Sequence, residues 1–160
     1  MSSLSCVLSK PAIDDPRPLL DAMIGVAELS FFSIGEPVAD AAAVVLPGGG
    51  WYEAIVAFDG PARGHARFVL PGGLSRELFT EFLGLDSADA IQEAALRDLV
   101  GEFANMACGA WLTGLNEASC STIAHPEVRL LPGAPPPGGL VVLINGQPVV
   151  VTVGSDTSLA

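Results

Sequence analysis

A carboxylate and a carboxamide three residues apart, Glu102 and Asn105, lie in the run Asp98-Leu99-Val100-Gly101-Glu102-Phe103-Ala104-Asn105-Met106-Ala107-Cys108-Gly109. On a helix, positions three apart are neighbours on one face. A carboxylate there holds a charged partner. A carboxamide presents a carbonyl that accepts a proton from water and an NH2 that donates to a phosphoryl oxygen. It cannot abstract a proton, but it can hold a water in line. Phosphoryl transfer needs mostly positioning and charge stabilisation. An asparagine therefore suffices for dephosphorylation when metal and cation come from elsewhere.

The pair needs a rigid carrier, and the periodicity supplies one. Leu96, Val100, Phe103, Ala107 and Trp111 recur at steps of four and three and form an apolar stripe. Asp98, Glu102, Asn105 and Gly109 recur at the same steps on the other face. The pattern predicts a long helix from about Ala88 to Leu115, with Asp86-Ser87 as N-cap and Asp89 in the first turn. Gly109 on the polar face leaves room for close approach of another surface, a partner's or the chain's own. Gly101 and Gly114 also fall in this pattern, and an interior helical glycine costs about 1 kcal/mol against alanine. Gly114 suits a helix end, whereas periodicity offers no reason for Gly101.

Other chemistries find no support. No G-x-S-x-G elbow is present, and no carboxylate pair is placed for glycoside hydrolysis. Pro47-Gly-Gly-Gly50 is followed by no Gly-Lys-Ser/Thr, so a phosphate loop fails and a hairpin connection is expected. Cys6, Cys108 and Cys120 show no C-x-x-C spacing, which suits reduced thiols, Cys108 as packing. His65 and His125 are far apart in sequence, so neither a metal site nor a cofactor bound by this chain is expected. The formal net charge of −11, with only seven Lys plus Arg, disfavours nucleic acid and anionic membranes as partners. No signal peptide and no membrane-length apolar run are evident.

At 160 residues, half of them hydrophobic, the chain suits one domain with a substantial core. Residues 1–15 read as a loose leader, 16–154 as the domain and 155–160 as a tail. Pro16 and Pro18 open a helix over Leu19 to Ile34 that Gly35-Glu36-Pro37 stops. Residues 38–50 are a strand or loop. Glu53–Asp59 and Ala62–Leu70 form a hairpin around Asp59-Gly60-Pro61. In its second strand Gly64, Ala66, Phe68 and Leu70 mark the drier face. A short helix, Ser75–Leu83, ends at Gly84. After the long helix come strands at Ser119–Ala124 and Val128–Leu131, then a proline-rich loop, Pro132–Gly139. Leu140–Ile144 and Val149–Val153 close the chain around Asn145-Gly146, a type I′ signal. Their continuous apolar character predicts cover on both faces, by helices or a second subunit. The fold class is α+β: an antiparallel β-sheet covered on one side by helices, including one long central helix.

The run Gly101-Glu102-Phe-Ala-Asn105-Met106-Ala-Cys-Gly109 resembles the signature helix of the CheC/CheX/FliY chemotaxis phosphatases, closest to CheX. The element order agrees over about residues 16–153. Relatives of the CheC type carry two Glu-x-x-Asn motifs. The first helix here, with Asp21-Ala-Met-Ile24-Gly25, has none, so a one-site, CheX-like chain is implied. Val38–Gly50 and Pro132–Gly139 are additions to that pattern. The resemblance implies a cytoplasmic enzyme acting on a phosphorylated CheY-type response regulator that brings its own Mg2+. Asn105 would orient the attacking water and Glu102 would pair with the regulator's lysine. Asp98, Leu99, Met106, Gly109 and Leu112 are the expected partner contacts. It also implies a homodimer in which the closing strands pair with those of a second copy. The alternative is a non-catalytic regulator-binding or flagellar-switch-like interaction domain of the same fold.

Overall fold

The computed structural model describes residues 15–60, 63–86, 91–115 and 121–155. Residues 1–14, most of the expected leader, lie outside that description, as do Pro61, Ala62, Ser87, Asp89 and 156–160. Among the described residues three α-helices pack on one face of a seven-stranded antiparallel sheet. The helices are α1 (Arg17–Phe31), α2 (Gly72–Leu83) and α3 (Glu93–Leu115). The strands are β1 (Gly35–Pro37), β2 (Trp51–Asp59), β3 (Gly64–Pro71), β4 (Thr122–Ile123), β5 (Glu127–Leu131), β6 (Leu140–Ile144) and β7 (Gln147–Ser155). Their order is β1-β6-β7-β3-β2-β4, with β5 beside β4 along the same edge of β2.

The main core lies between helices and sheet. The α3 stripe of Leu96, Val100, Phe103, Ala107 and Trp111 is buried there, against Ala54, Val56 and Phe58 of β2 and Ala66 and Phe68 of β3. Trp111 meets Phe58 edge-on at 5.5 Å between ring centroids, and Phe103 does the same with Phe68 at 6.4 Å. Such pairs add about 0.5–1.5 kcal/mol each beyond the area they bury. They fix the rotation of α3 and so the direction of its polar stripe. Leu19, Met23, Ala27 and Phe31 supply the α1 side of this core.

The first helix ends three residues earlier than its periodicity suggests. Phe32 adopts a left-handed conformation at φ 51°, and Gly35–Pro37 becomes an edge strand paired to β6 rather than a mere stop. The cause lies over a hundred residues away. Asn145, at φ 49° in the β6–β7 turn, accepts the Ile34 N–H on Oδ1 at 2.8 Å. Its Nδ2 donates to Ser33 Oγ at 3.2 Å. Long-range hydrogen bonds of this kind leave no trace in local periodicity.

The closing strands are covered on both faces by this chain alone. Trp51, Val69, Val141 and Val150 form a second, smaller core on the face away from the helices, closed by Val38, Val44, Leu46 and Leu131. Trp51 Nε1 donates to the Pro47 carbonyl at 3.1 Å, tying the 38–50 segment down. That segment is therefore a cover, not a hairpin connection; β1 and β2 are not neighbours. β6 and β7 find their partners in β1 and β3 of the same chain.

Candidate functional site

Helix α3 presents its polar stripe to a groove bounded on the other side by the β4–β5 segment. The groove has a volume of about 400 Å³. From α3 it is lined by Arg97, Asp98, Gly101, Glu102 and Asn105. From the facing segment come His125, Pro126 and Val128. Asp98 and Glu102 are exposed and Asn105 is half-buried. Among the described residues no hydrogen bond engages the side chains of Glu102 or Asn105. The carboxamide therefore keeps its acceptor and donors for something arriving from outside.

A register slip builds the far wall. Ile55 lies opposite Glu127, yet Phe58 lies opposite Ile123. Val56 and Ala57 thus face three residues, Ala124, His125 and Pro126. One extra residue in an edge strand is a β-bulge, which bends the strand and re-aims its side chains. Ala124 N–H still reaches the Ala57 carbonyl at 2.9 Å. The slip inverts the alternation, so Ile123 and Val128 both pack on the α3 side. His125 and Pro126 come to line the groove between them.

Gly101 gains its reason here. A Cβ at that position would stand 3.2 Å from Pro126 Cγ and 3.3 Å from Val128 Cγ2. The absent side chain lets the bulge sit against α3 one residue from Glu102. Gly109 is different: a Cβ there would meet Ile123 Cδ1 at an ordinary 3.6 Å. Its neighbour is the chain's own strand.

At the start of α3, Glu93 Oε1 accepts from Arg97 Nη2 at 3.0 Å and Nε at 3.3 Å. Glutamate four residues before arginine is the favourable order on a helix. Glu93, not Asp89, is the acidic residue of the first described turn, because α3 begins five residues later than its periodicity suggests. Below the site, burial pushes the Cys108 thiol up to about 12, which suits packing and not reactivity.

Two expected partner contacts are corrected. Leu99 is only 6% exposed and Leu112 only 3%, both in the main core. They flank the polar stripe but turn inward, into the packing of α3 against α1, β2 and β5. Met106 is half-buried and packs on the core edge. Asp98 joins Glu102 and Asn105 in the groove, whereas Met106 and Gly109 do not. Spacing gave no signal for Arg97, His125 or Pro126 as groove residues. Among the described residues no three His, Cys, Asp or Glu side chains gather into a metal-ligand set, and no helix is long and apolar enough to cross a membrane.

A sheet backed by three helices, with an open Glu-x-x-Asn face on the longest, defines a CheC-like fold. A family model described as chemotaxis phosphatase CheX matches residues 52–132, half of the chain, including α3 and both Glu102 and Asn105. The chain belongs to the CheX family. Solved structures agree on the fold. Chemotaxis protein CheX from Desulfovibrio desulfuricans is 20% identical, with a TM-score of 0.64, covering 90% of this chain and 100% of that one. CheX from Vibrio vulnificus is 18% identical, with a TM-score of 0.64, covering 87% and 97%. CheX from Borrelia burgdorferi, solved as a complex with CheY, BeF3 and Mg2+, is 16% identical, with a TM-score of 0.60, covering 87% and 96%. No curated protein sequence matches the chain.

Proposed function

We propose that this protein removes the phosphoryl group from the phosphoaspartate of a CheY-type response regulator. The observation that carries the reading is the Asn105 carboxamide. It stands on the outward stripe of a rigidly packed helix, beside Glu102, free of hydrogen bonds among the described residues. Membership of a chemotaxis phosphatase family supports phosphatase activity. The Borrelia complex of a similarly folded CheX with CheY supports a CheY-type partner.

In this reading α3 docks over the regulator's active site. The Asn105 carbonyl accepts a hydrogen bond from a water, and its NH2 donates toward a phosphoryl oxygen. The amide takes no proton; it holds the water on the line of attack, so its contribution is positional. Glu102 pairs with the regulator's lysine and fixes the helix. Mg2+ belongs to the regulator and arrives with it, in the cytoplasm where such regulators act.

Phosphate release from a purified phosphorylated regulator, with and without this protein, is the test. The wild-type chain should accelerate release. Asn105→Ala should lose the acceleration, a drop of roughly a hundredfold or more if positioning dominates, while binding stays within a few-fold. Binding of the phosphorylated regulator with no change in its decay would favour a non-catalytic docking domain instead.

A further inference from the structure

We infer that His125 is a further partner-binding residue of the Asn105 groove, and that its protonation tunes affinity for the phosphorylated regulator. The inference rests on the reading above and adds to it a pH-dependent contact. His125 is neither on α3 nor part of the Glu-x-x-Asn motif. It is brought to the groove by the extra residue between β4 and β5 and by the missing side chain at Gly101. A bulge and a glycine thus bring one exposed imidazole into the groove that Glu102 and Asn105 line.

The charge balance gives that imidazole a task. The chain is strongly acidic, with a formal net charge of −11. Within the groove Asp98 and Glu102 are opposed, among the described residues, only by Arg97, and Glu93 already holds the Arg97 guanidinium at 3.0 Å. Arg67 and Arg129 are committed to Glu53 on the other face of the sheet, and Arg17 to Asp15. Glu127 belongs to that other face as well, since it alternates with Arg129 along β5. With a neutral imidazole the groove therefore carries an excess of carboxylate, which repels an arriving phosphoryl group. An imidazolium cancels it and places a donor on the wall opposite the carboxamide. Histidine is the side chain whose charge changes near neutrality. No hydrogen bond or ion pair among the described residues occupies His125.

The test is affinity for a CheY-type regulator loaded with Mg2+ and BeF3, measured between pH 6 and 8 for wild type, His125→Gln and His125→Arg. Dividing each profile by that of His125→Gln cancels titration of the regulator itself. The wild-type advantage over His125→Gln should be roughly three- to fivefold where the imidazole is charged, the size of one accessible charge contact, and should shrink as the pH rises. His125→Arg should keep the advantage at both ends. Urea midpoints of the three proteins should coincide, because the side chain is exposed. Parallel profiles for wild type and His125→Gln, with binding and Asn105-dependent phosphate release intact, overturn the role of His125 alone. Absence of wild-type binding at every pH overturns both this inference and the proposed phosphatase.

Discussion

Gly101→Ala separates helix propensity from packing at the position that supports the groove. Propensity alone favours alanine by about 1 kcal/mol. Against this, the new methyl would stand 3.2 Å from Pro126 Cγ and 3.3 Å from Val128 Cγ2. Carbon pairs prefer about 3.5–4.0 Å. Neither neighbour is the loose end of a long side chain. Pro126 is a ring in the bulge, and Val128 is a β-branched residue in a strand paired to Ala54 of β2. Relief requires β5 to move off α3, and overpacking of this kind costs about 1–3 kcal/mol. The net effect is a loss of about 0–2 kcal/mol. Gly25, in the middle of α1, has nothing within 4 Å of an added Cβ, and Gly109 has only Ile123 Cδ1 at 3.6 Å. Alanine at either should gain about 0.5–1 kcal/mol. Urea unfolding of the three variants beside wild type checks the order. Gly101→Ala should fall below Gly25→Ala by about 1–3 kcal/mol, the overpacking cost alone, because the propensity gain is common to both. It should also slow phosphate release, since the bulge forms one groove wall. A Gly101→Ala protein as stable as Gly25→Ala would refute the claim that this glycine exists to admit Pro126 and Val128.

The other predictions address separate links. Glu102→Gln should weaken regulator binding roughly five- to tenfold, as loss of one charge-assisted contact, without moving the urea midpoint; calorimetry reads the affinity. Cys108 sets a sign on alkaline stability. Its thiol is held up to about 12, above its ordinary value near 9, so between those values the folded chain keeps a proton that the unfolded chain loses. Stability should fall across that window by up to about 1.4 kcal/mol per pH unit, and the fall should be shallower in Cys108→Ala. Native Cys108 should also resist alkylation at pH 8 until urea unfolds the chain. Asn145→Ala removes both side-chain hydrogen bonds to the Ser33–Ile34 corner and a tolerated left-handed turn residue, at a cost of about 2–3 kcal/mol. Asn145→Gly should recover only the turn part, as thermal unfolding will show.

The helical parts and the motif were legible because their signals are local. A step of three and four placed Leu96 through Trp111 inward and Glu102 and Asn105 outward, and the core obeys that division. Asn145-Gly146 named its own turn because only residues at ease with positive φ fit there. The α+β class followed from the order of these segments. Tertiary contact settled the rest. Helix periodicity cannot say how much of a helix its neighbours enclose, so Leu99 and Leu112 read as flanking contacts although the fold buries them. It cannot register a hydrogen bond across the chain, so the early end of α1 and the conversion of Gly35–Pro37 into a strand were hidden. Nor can it count residues between two strands that pair with the same third strand. That mismatch of one residue forms the bulge, explains Gly101, and brings His125 into the groove with Asn105.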